Sequence, residues 1–261
     1  MKSLNGRDLA SFIKERQAHQ VASLSHRPKL LIIRDSNNPV ITKYVNLKIK
    51  YGEDIGVDVE DYLAKNSESI AVKINEANED PTVSGIILQL PILEKDKTDE
   101  LCNLIKPEKD VDGLGVSAKY DSATATAILW LLAGYDIKLE NQKIAIIGRG
   151  KLVGAPLYKI FQASNYDVAL FHRGSDLTNL KQFDIIISAT GVPGLISGDF
   201  ISPGATLVDA GTASEDGVIK GDFAPELYAR KDLTAITPTT GGVGPLTITC
   251  LFDHLIQATN P

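Results

Sequence analysis

The chain has 261 residues, 43% of them hydrophobic and 23% charged, and a net charge of -6. That length suits two domains or one large α/β domain, and the acidic balance argues against a nucleic-acid-binding surface. Two cysteines, Cys102 and Cys250, supply neither a disulfide framework nor a zinc ligand set, and no apolar run is long enough to span a membrane. Without a signal-peptide apolar region at its start, the chain is expected in the cytoplasm, with no membrane and no metal site.

Helices and strands alternate, which predicts parallel sheets with helices on their faces. The pattern predicts a helix over 4–23, a strand at 29–34, a helix over 38–52 and a short strand at 55–60. A helix over 66–78, a strand at 85–90 and a helix over 96–104 follow. The stretch 107–120, rich in Asp, Gly and Lys, reads as a boundary, dividing the chain into domains 1–118 and 119–261. An apolar helix over 122–132 leads into strands at 143–147, 167–172, 184–189, 205–210 and 235–238. A glycine-rich loop at 241–245 then feeds a last helix over 246–258.

The stretch from Asn141 to Pro156 reads as a buried strand, a glycine turn and a helix, the opening of a βαβ unit. Gly148, Gly150 and Gly154 are spaced G-x-G-x-x-x-G, one residue wider than the usual dinucleotide fingerprint. Such a turn admits a pyrophosphate to backbone N–H groups at a helix N-terminus. The next strand ends in His172-Arg173-Gly174-Ser175. An arginine there accommodates a 2′-phosphate, which favours NADP over NAD, although the acidic Asp176 is close by.

A second cluster lies in the first half. Tyr44 and Lys48 stand four residues apart on the helix over 38–52 and so share a face. Gln89 closes an apolar strand at its carboxyl edge, where open α/β sheets bind ligands. Lys109-Asp110-Val111-Asp112-Gly113 is an acidic turn. On spacing alone, each of these also fits a solvated lysine, a capping amide and plain turn chemistry.

Five ordered segments resemble the bifunctional methylenetetrahydrofolate dehydrogenase/methenyltetrahydrofolate cyclohydrolase family of the FolD type. They are Tyr44-Val-x-x-Lys48-x-Lys50, Gly85-Ile-Ile-Leu-Gln89-Leu-Pro91, Lys109-Asp-Val-Asp112-Gly113, Gly148-Arg-Gly-x-x-Val-Gly154-x-Pro156 and Thr237-Pro-x-x-Gly241-Gly-Val-Gly-Pro245-Leu-Thr247. The resemblance covers nearly the whole chain. It implies an N-terminal α/β catalytic lobe, a C-terminal Rossmann-like NAD(P)-binding domain, a cleft between them, and a last helix that packs back on the first lobe. By the same resemblance Lys48 is the catalytic lysine, with Tyr44, Gln89 and Asp112 beside it. Tyr44, Gln89, Leu90, Pro91, Asp112, Gly241 and Gly242 would line the folate site. Gly148, Arg149, Gly150, Val153, Gly154, His172, Arg173 and Thr212 would hold NADP.

The implied activity is oxidation of 5,10-methylenetetrahydrofolate and hydrolysis of the methenyl product to 10-formyltetrahydrofolate, by a homodimer acting on tetrahydrofolate one-carbon derivatives. This chain departs from the family in a shortened connector after Asp112-Gly113, followed by Ser122-Ala123-Thr124-Ala125-Thr126, and in Pro238-Thr239-Thr240 before the late glycine loop. Two other readings stay open: a dehydrogenase of another small substrate on the same plan, and a non-catalytic folate or nucleotide binder.

Overall fold

The computed structural model describes residues 1–211, 213–215 and 218–259. In chain order its elements are β1 (Lys2–Ser3), α1 (Gly6–Ala22), β2 (Lys29–Arg34), α2 (Pro39–Ile55), β3 (Asp58–Leu63), α3 (Ser67–Glu79), β4 (Gly85–Leu88) and α4 (Thr98–Leu104). Then come α5 (Ala123–Gly134), β5 (Lys143–Ile147), α6 (Gly154–Ala163), β6 (Asp167–Phe171), β7 (Ile185–Ser188) and β8 (Thr206–Asp209). The chain closes with β9 (Ala213–Glu215), β10 (Val218–Lys220), β11 (Ala235–Ile236) and α7 (Val243–Thr259).

These elements form two compact units, and neither is one continuous stretch. One comprises Met1–Ala10 with Thr124–Thr247; the other comprises Ser11–Ala123 with Ile248–Pro261. These units differ from a division into 1–118 and 119–261 in where they place the first ten residues, residues 119–123 and the residues from Ile248 onward. The first residues leave the N-terminal half because β1 pairs in parallel with β11, Lys2 against Ala235 and Ser3 against Ile236. Residues from Ile248 onward count with 11–123.

The unit built on 11–123 has a parallel sheet ordered β3-β2-β4. A parallel bridge between Ile86 and Asp110 extends its β4 edge. On one face Leu31, Ile33, Ile86 and Leu88 pack with Ile70 and Ile74 of α3 and Leu101 of α4. Near α2, Phe252 of α7 stacks on Tyr51, ring centroids 4.9 Å apart. Gly85 is open for a reason: a Cβ there would lie 2.7 Å from both Leu255 and Val111 side-chain atoms.

The largest departures from the periodicity, three residues each, are at the α2–β3 junction and at the start of α7. The residues predicted as a strand at 55–60 begin inside α2, because Gly56 takes φ +85° and caps that helix with its N–H on Glu53 O and Gly52 O. β3 therefore starts three residues later. The last helix starts at Val243 rather than 246, since Pro245 falls in its first turn, where proline is tolerated.

The second unit holds a six-stranded parallel sheet ordered β1-β11-β8-β7-β5-β6. From β5 the chain moves outward to β6, then returns to place β7 on the other side of β5. The carboxyl ends of β5 and β7 therefore form a topological switch point. A two-stranded antiparallel ribbon, β9 with β10, lies outside this sheet and escaped the sequence pattern.

Ile33 sits in the central strand of the smaller sheet and is fully buried. Ile33→Ala should cost about 2–5 kcal/mol, a lost transfer term plus a cavity, read as a lower urea midpoint.

Candidate functional site

In the unit built on 11–123, β2 leads through α2 outward to β3, and α3 returns the chain to β4 on the other side of β2. The carboxyl ends of β2 and β4 are thus its switch point, and Gln89 stands there, its N–H donating to Ile33 O at 2.8 Å. α2 starts on Asn38, whose side-chain oxygen accepts from Val40 N. Its Ile41 and Val45 are buried and seat the helix, leaving Tyr44 and Lys48 on a shared stripe. Lys48 is buried, only 8% exposed, and its Nζ donates to Gln89 Oε1 at 2.6 Å. Gln89 Nε2 in turn donates to Leu90 O at 3.0 Å, which fixes which end of the amide faces the lysine. Leu90 and Pro91 are joined by a cis peptide bond and continue the strand's end into the loop.

Asp112 reaches the same place from the far side of β4. Burial lowers the Lys48 amine from the ordinary lysine range, and Asp112 opposes that pull with its charge. Burial likewise raises Asp112, with Lys48 opposing. A desolvated amine thus has one neutral acceptor and one nearby carboxyl group. Tyr44 lies one turn before Lys48 and is half-buried; its hydroxyl makes no hydrogen bond among the described residues.

The acidic turn proves to serve two purposes. Asp110, 1% exposed, accepts from the backbone N–H of Gly113, Leu114 and Gly115 at 3.0, 3.1 and 2.7 Å. It organises the shortened connector, where Gly113 at φ +70° backs onto the carbonyls of Tyr120 and Asp121. Asp112 is left for other work. Its backbone carbonyl accepts from Ala123 N at 3.1 Å, at the start of α5. His254 supports the neighbouring residue, with Nδ1 2.9 Å from Val111 O. A carbonyl only accepts, so Nδ1 carries the proton. Burial lowers this imidazole's pKa, and the ring stacks on Tyr120 at 4.8 Å. Sequence reading missed His254, which sits beside Asp253 in a largely apolar helix with no motif to mark it.

In the other unit Gly148, at φ +99°, ends β5 at the switch point. A Cβ there would lie 2.6 Å from Ala189 O, at the end of β7. At Gly154 a Cβ would collide with Gly148 O. Gly150 differs: a Cβ there meets nothing within 4 Å, so the turn is open to a ligand above it. α6 begins beside this turn with Val153 at its N-cap and no side-chain cap. These residues fit a pyrophosphate at a helix N-terminus.

Gly148 N donates to Phe171 O at 2.9 Å, which brings the end of β6 alongside the turn. There His172 and Arg173 are exposed, as is Arg149. Asp176 accepts from both Thr178 N (3.0 Å) and Thr178 Oγ1 (2.7 Å), so it caps the following turn. One carboxylate oxygen of Asp176 is thus engaged in that cap, while Arg173 stands exposed at the strand's end. Gly241 and Gly242 pack on the first residues: Arg7 N donates to Gly241 O at 3.0 Å, and a Cβ on Gly6 would strike Gly242 O. Thr212 lies outside the described residues.

Two further aspartates, neither singled out as a site residue from sequence, sit at the carboxyl ends of β7 and β8. Asp222 is fully buried and accepts from Ser188 Oγ at 2.6 Å and Thr190 N at 2.7 Å. Asp209 accepts from Gly211 N (3.0 Å), Phe223 N (3.3 Å) and Tyr228 O–H (3.0 Å). Desolvation first, then Asp222, pushes Asp209 up to about 6.

A dinucleotide-type parallel unit joined to an α/β unit with a buried lysine is the plan of a two-domain dehydrogenase. The chain belongs to the tetrahydrofolate dehydrogenase/cyclohydrolase family: residues 4–112 match its catalytic domain and residues 122–261 its NAD(P)-binding domain. The bifunctional protein FolD of Staphylococcus epidermidis is 35% identical over 275 residues, 98% of this chain and 96% of that protein. A crystal structure of the bifunctional FolD enzyme from Campylobacter jejuni superposes with a TM-score of 0.93 at 30% identity, covering 99% of this chain and 98% of the other. The FolD of Trypanosoma brucei, complexed with NADP cofactor and inhibitor, gives a TM-score of 0.91 at 27% identity over 98% and 96% of the two chains.

Because folded Asp209 keeps its proton up to about pH 6, against 3.8 ordinarily, it stabilises the fold fully below about pH 4. That contribution is lost as the pH rises through about 6. The stability of the wild type minus that of Asp209→Asn should therefore fall between about pH 4 and pH 7, by at most about 3 kcal/mol, in urea titrations at each pH.

Proposed function

We propose that this protein oxidises 5,10-methylenetetrahydrofolate with NADP and hydrolyses the resulting methenyl compound to 10-formyltetrahydrofolate. The observation that carries the reading is the buried Lys48 amine, bonded to Gln89 and opposed by Asp112, in a chain of this family. A simple binder has no use for a desolvated amine beside a carboxyl group, and the match of both domains to this family separates the chain from a dehydrogenase of another small substrate.

NADP, when bound, accepts the hydride that leaves the carbon bridging N5 and N10. Hydride transfer asks for contact distance rather than for an acid or base, so this chain contributes mainly by holding its reactants. The open turn at Gly150 and the uncapped start of α6 suit the pyrophosphate, and Arg173 suits a 2′-phosphate.

In the hydrolysis, water adds to the cationic amidinium carbon, one proton is released, and the bond to N5 breaks. Burial has already lowered the Lys48 pKa, and a cationic substrate beside it lowers it further, so the neutral amine serves as the base. Gln89 aims that amine without adding charge. Asp112, when ionised, offers two acceptor oxygens to adjacent N–H donors of a pterin edge. Tyr44 presents its ring for stacking and its hydroxyl for the water.

The family resemblance also suggests a cytoplasmic homodimer. The buried Cys102 and Cys250, which form no disulfide, suit a reducing compartment. No helix of the described residues is long and apolar enough to cross a membrane.

Lys48→Met should lower methenyl hydrolysis by roughly 10²–10⁴-fold while NADPH affinity stays within about twofold. Unaltered hydrolysis, followed by loss of the methenyl absorbance, would remove Lys48 from the mechanism. Arg173→Ala should raise the KM for NADP roughly tenfold and leave the KM for NAD nearly unchanged, as a charge-assisted contact with a phosphate requires. Equal changes for the two cofactors would count against the 2′-phosphate role.

A further inference from the structure

Four segments meet at the carboxyl ends of β7 and β8, and one side chain ties them. Ser188 is the last residue of β7 and is fully buried, its hydroxyl spent on Asp222 Oδ2. The same oxygen receives Thr190 N, two residues along the loop. Among the described residues the other oxygen, Oδ1, is buried without a hydrogen-bond partner, and it faces Gly211, where a Cβ would collide with it. Asp222 is held in turn by its own backbone: its carbonyl accepts from Ile196 N at 3.0 Å, beside a parallel bridge between Ile196 and Phe223. Across from it Asp209 secures Gly211 N, and a Cβ on Gly221 would strike the Asp209 carboxylate.

The loop that Asp222 ties is the one that walls the glycine turn. Ala189, between the two residues bonded to Asp222, puts its carbonyl within 2.6 Å of where a Gly148 Cβ would be. Moving Ser188 or Thr190 therefore moves the backbone against which the Gly148 turn is seated. A buried carboxylate with an unpaired oxygen costs the fold stability, which fits a placement role better than a stabilising one.

We propose that Asp222 is a positioning residue for the dinucleotide: by clamping Ser188 and Thr190 it fixes the β7 loop against the Gly148 turn, and so sets cofactor affinity without touching the one-carbon chemistry. The inference rests on the cofactor reading above and deepens it. Removing the clamp should change binding of the dinucleotide and the KM for it, while turnover at saturating cofactor and the cofactor-independent hydrolysis remain.

The test compares NADPH binding by titration calorimetry, both activities and the urea midpoint in the wild type, Asp222→Ala and Ser188→Ala. Asp222→Ala removes the one oxygen that accepts from both Thr190 N and Ser188 Oγ. It should weaken NADPH binding roughly 10-fold or more and raise the KM for NADP in step. Its kcat for oxidation and its hydrolysis of the methenyl compound should stay within about threefold of wild type. Ser188→Ala removes one donor only and should weaken binding roughly threefold. Wild-type affinity in Asp222→Ala overturns the proposal, and so does an equal fall of hydrolysis and binding in a folded variant. If Asp222→Ala does not fold, Ser188→Ala decides, since unchanged affinity there overturns it and a weakened one supports it. A wild type that binds no NADPH would instead sink the cofactor reading itself.

Discussion

Burying an amine is expensive unless something is gained from its discomfort. Lys48 is drawn out of water by α2, and the chain gives it the least help compatible with order: one amide oxygen that carries no charge, and a carboxyl group whose own burial weakens it as a counter-ion. Had a fully solvated carboxylate met the amine directly, the lysine would stay a permanent cation and would be no base. The rest of that unit can be understood as support for this balance. Ile41 and Val45 fix the rotation of α2, the end of β4 delivers Gln89, and Asp110 takes over the turn so that Asp112 stays available.

The two units solve a similar placement problem with different means. Each uses the point where a parallel sheet reverses its direction of growth, since loops diverge there and leave room for a ligand. One fills that point with side chains; the other fills it with backbone, through glycines whose missing Cβ atoms permit close approach at Gly148 and Gly154 and leave space at Gly150. Polar side chains then steady the backbone from behind, as Asp222 and Asp209 do.

Much of this was readable in the amino acids, for identifiable reasons. The strands at 29–34 and 143–147 are continuous apolar runs ended by polar or glycine residues, and both bounds agree with the structure. Gln89 stood out because a polar group closing an apolar strand is conspicuous, whereas Lys48, in mid-helix among other lysines, was marked only by the family's motif. What escaped notice depends on contacts distant along the chain. Asp222 follows a glycine in an unremarkable loop, and its partner Ser188 lies 34 residues earlier. The pairing of Lys2 and Ser3 with residues near 235 leaves no periodic trace, because two residues are too few to show one. The end of α2 was misjudged because Ile55 and Val57 alternate like a strand around a glycine that is in fact a helix cap.

The division of the chain carries a consequence for how it is made. The polypeptide passes from one unit to the other three times, and each passage falls within a helix: α1 after Ala10, α5 after Ala123 and α7 after Thr247. The unit that begins at Ser11 waits for Phe252 and Leu255 to complete its packing, so a nascent chain leaving the ribosome holds that unit unfinished until all of the other unit has been synthesised. Segments translated early must therefore tolerate an interval of incomplete burial, and a single proteolytic nick can liberate neither unit intact.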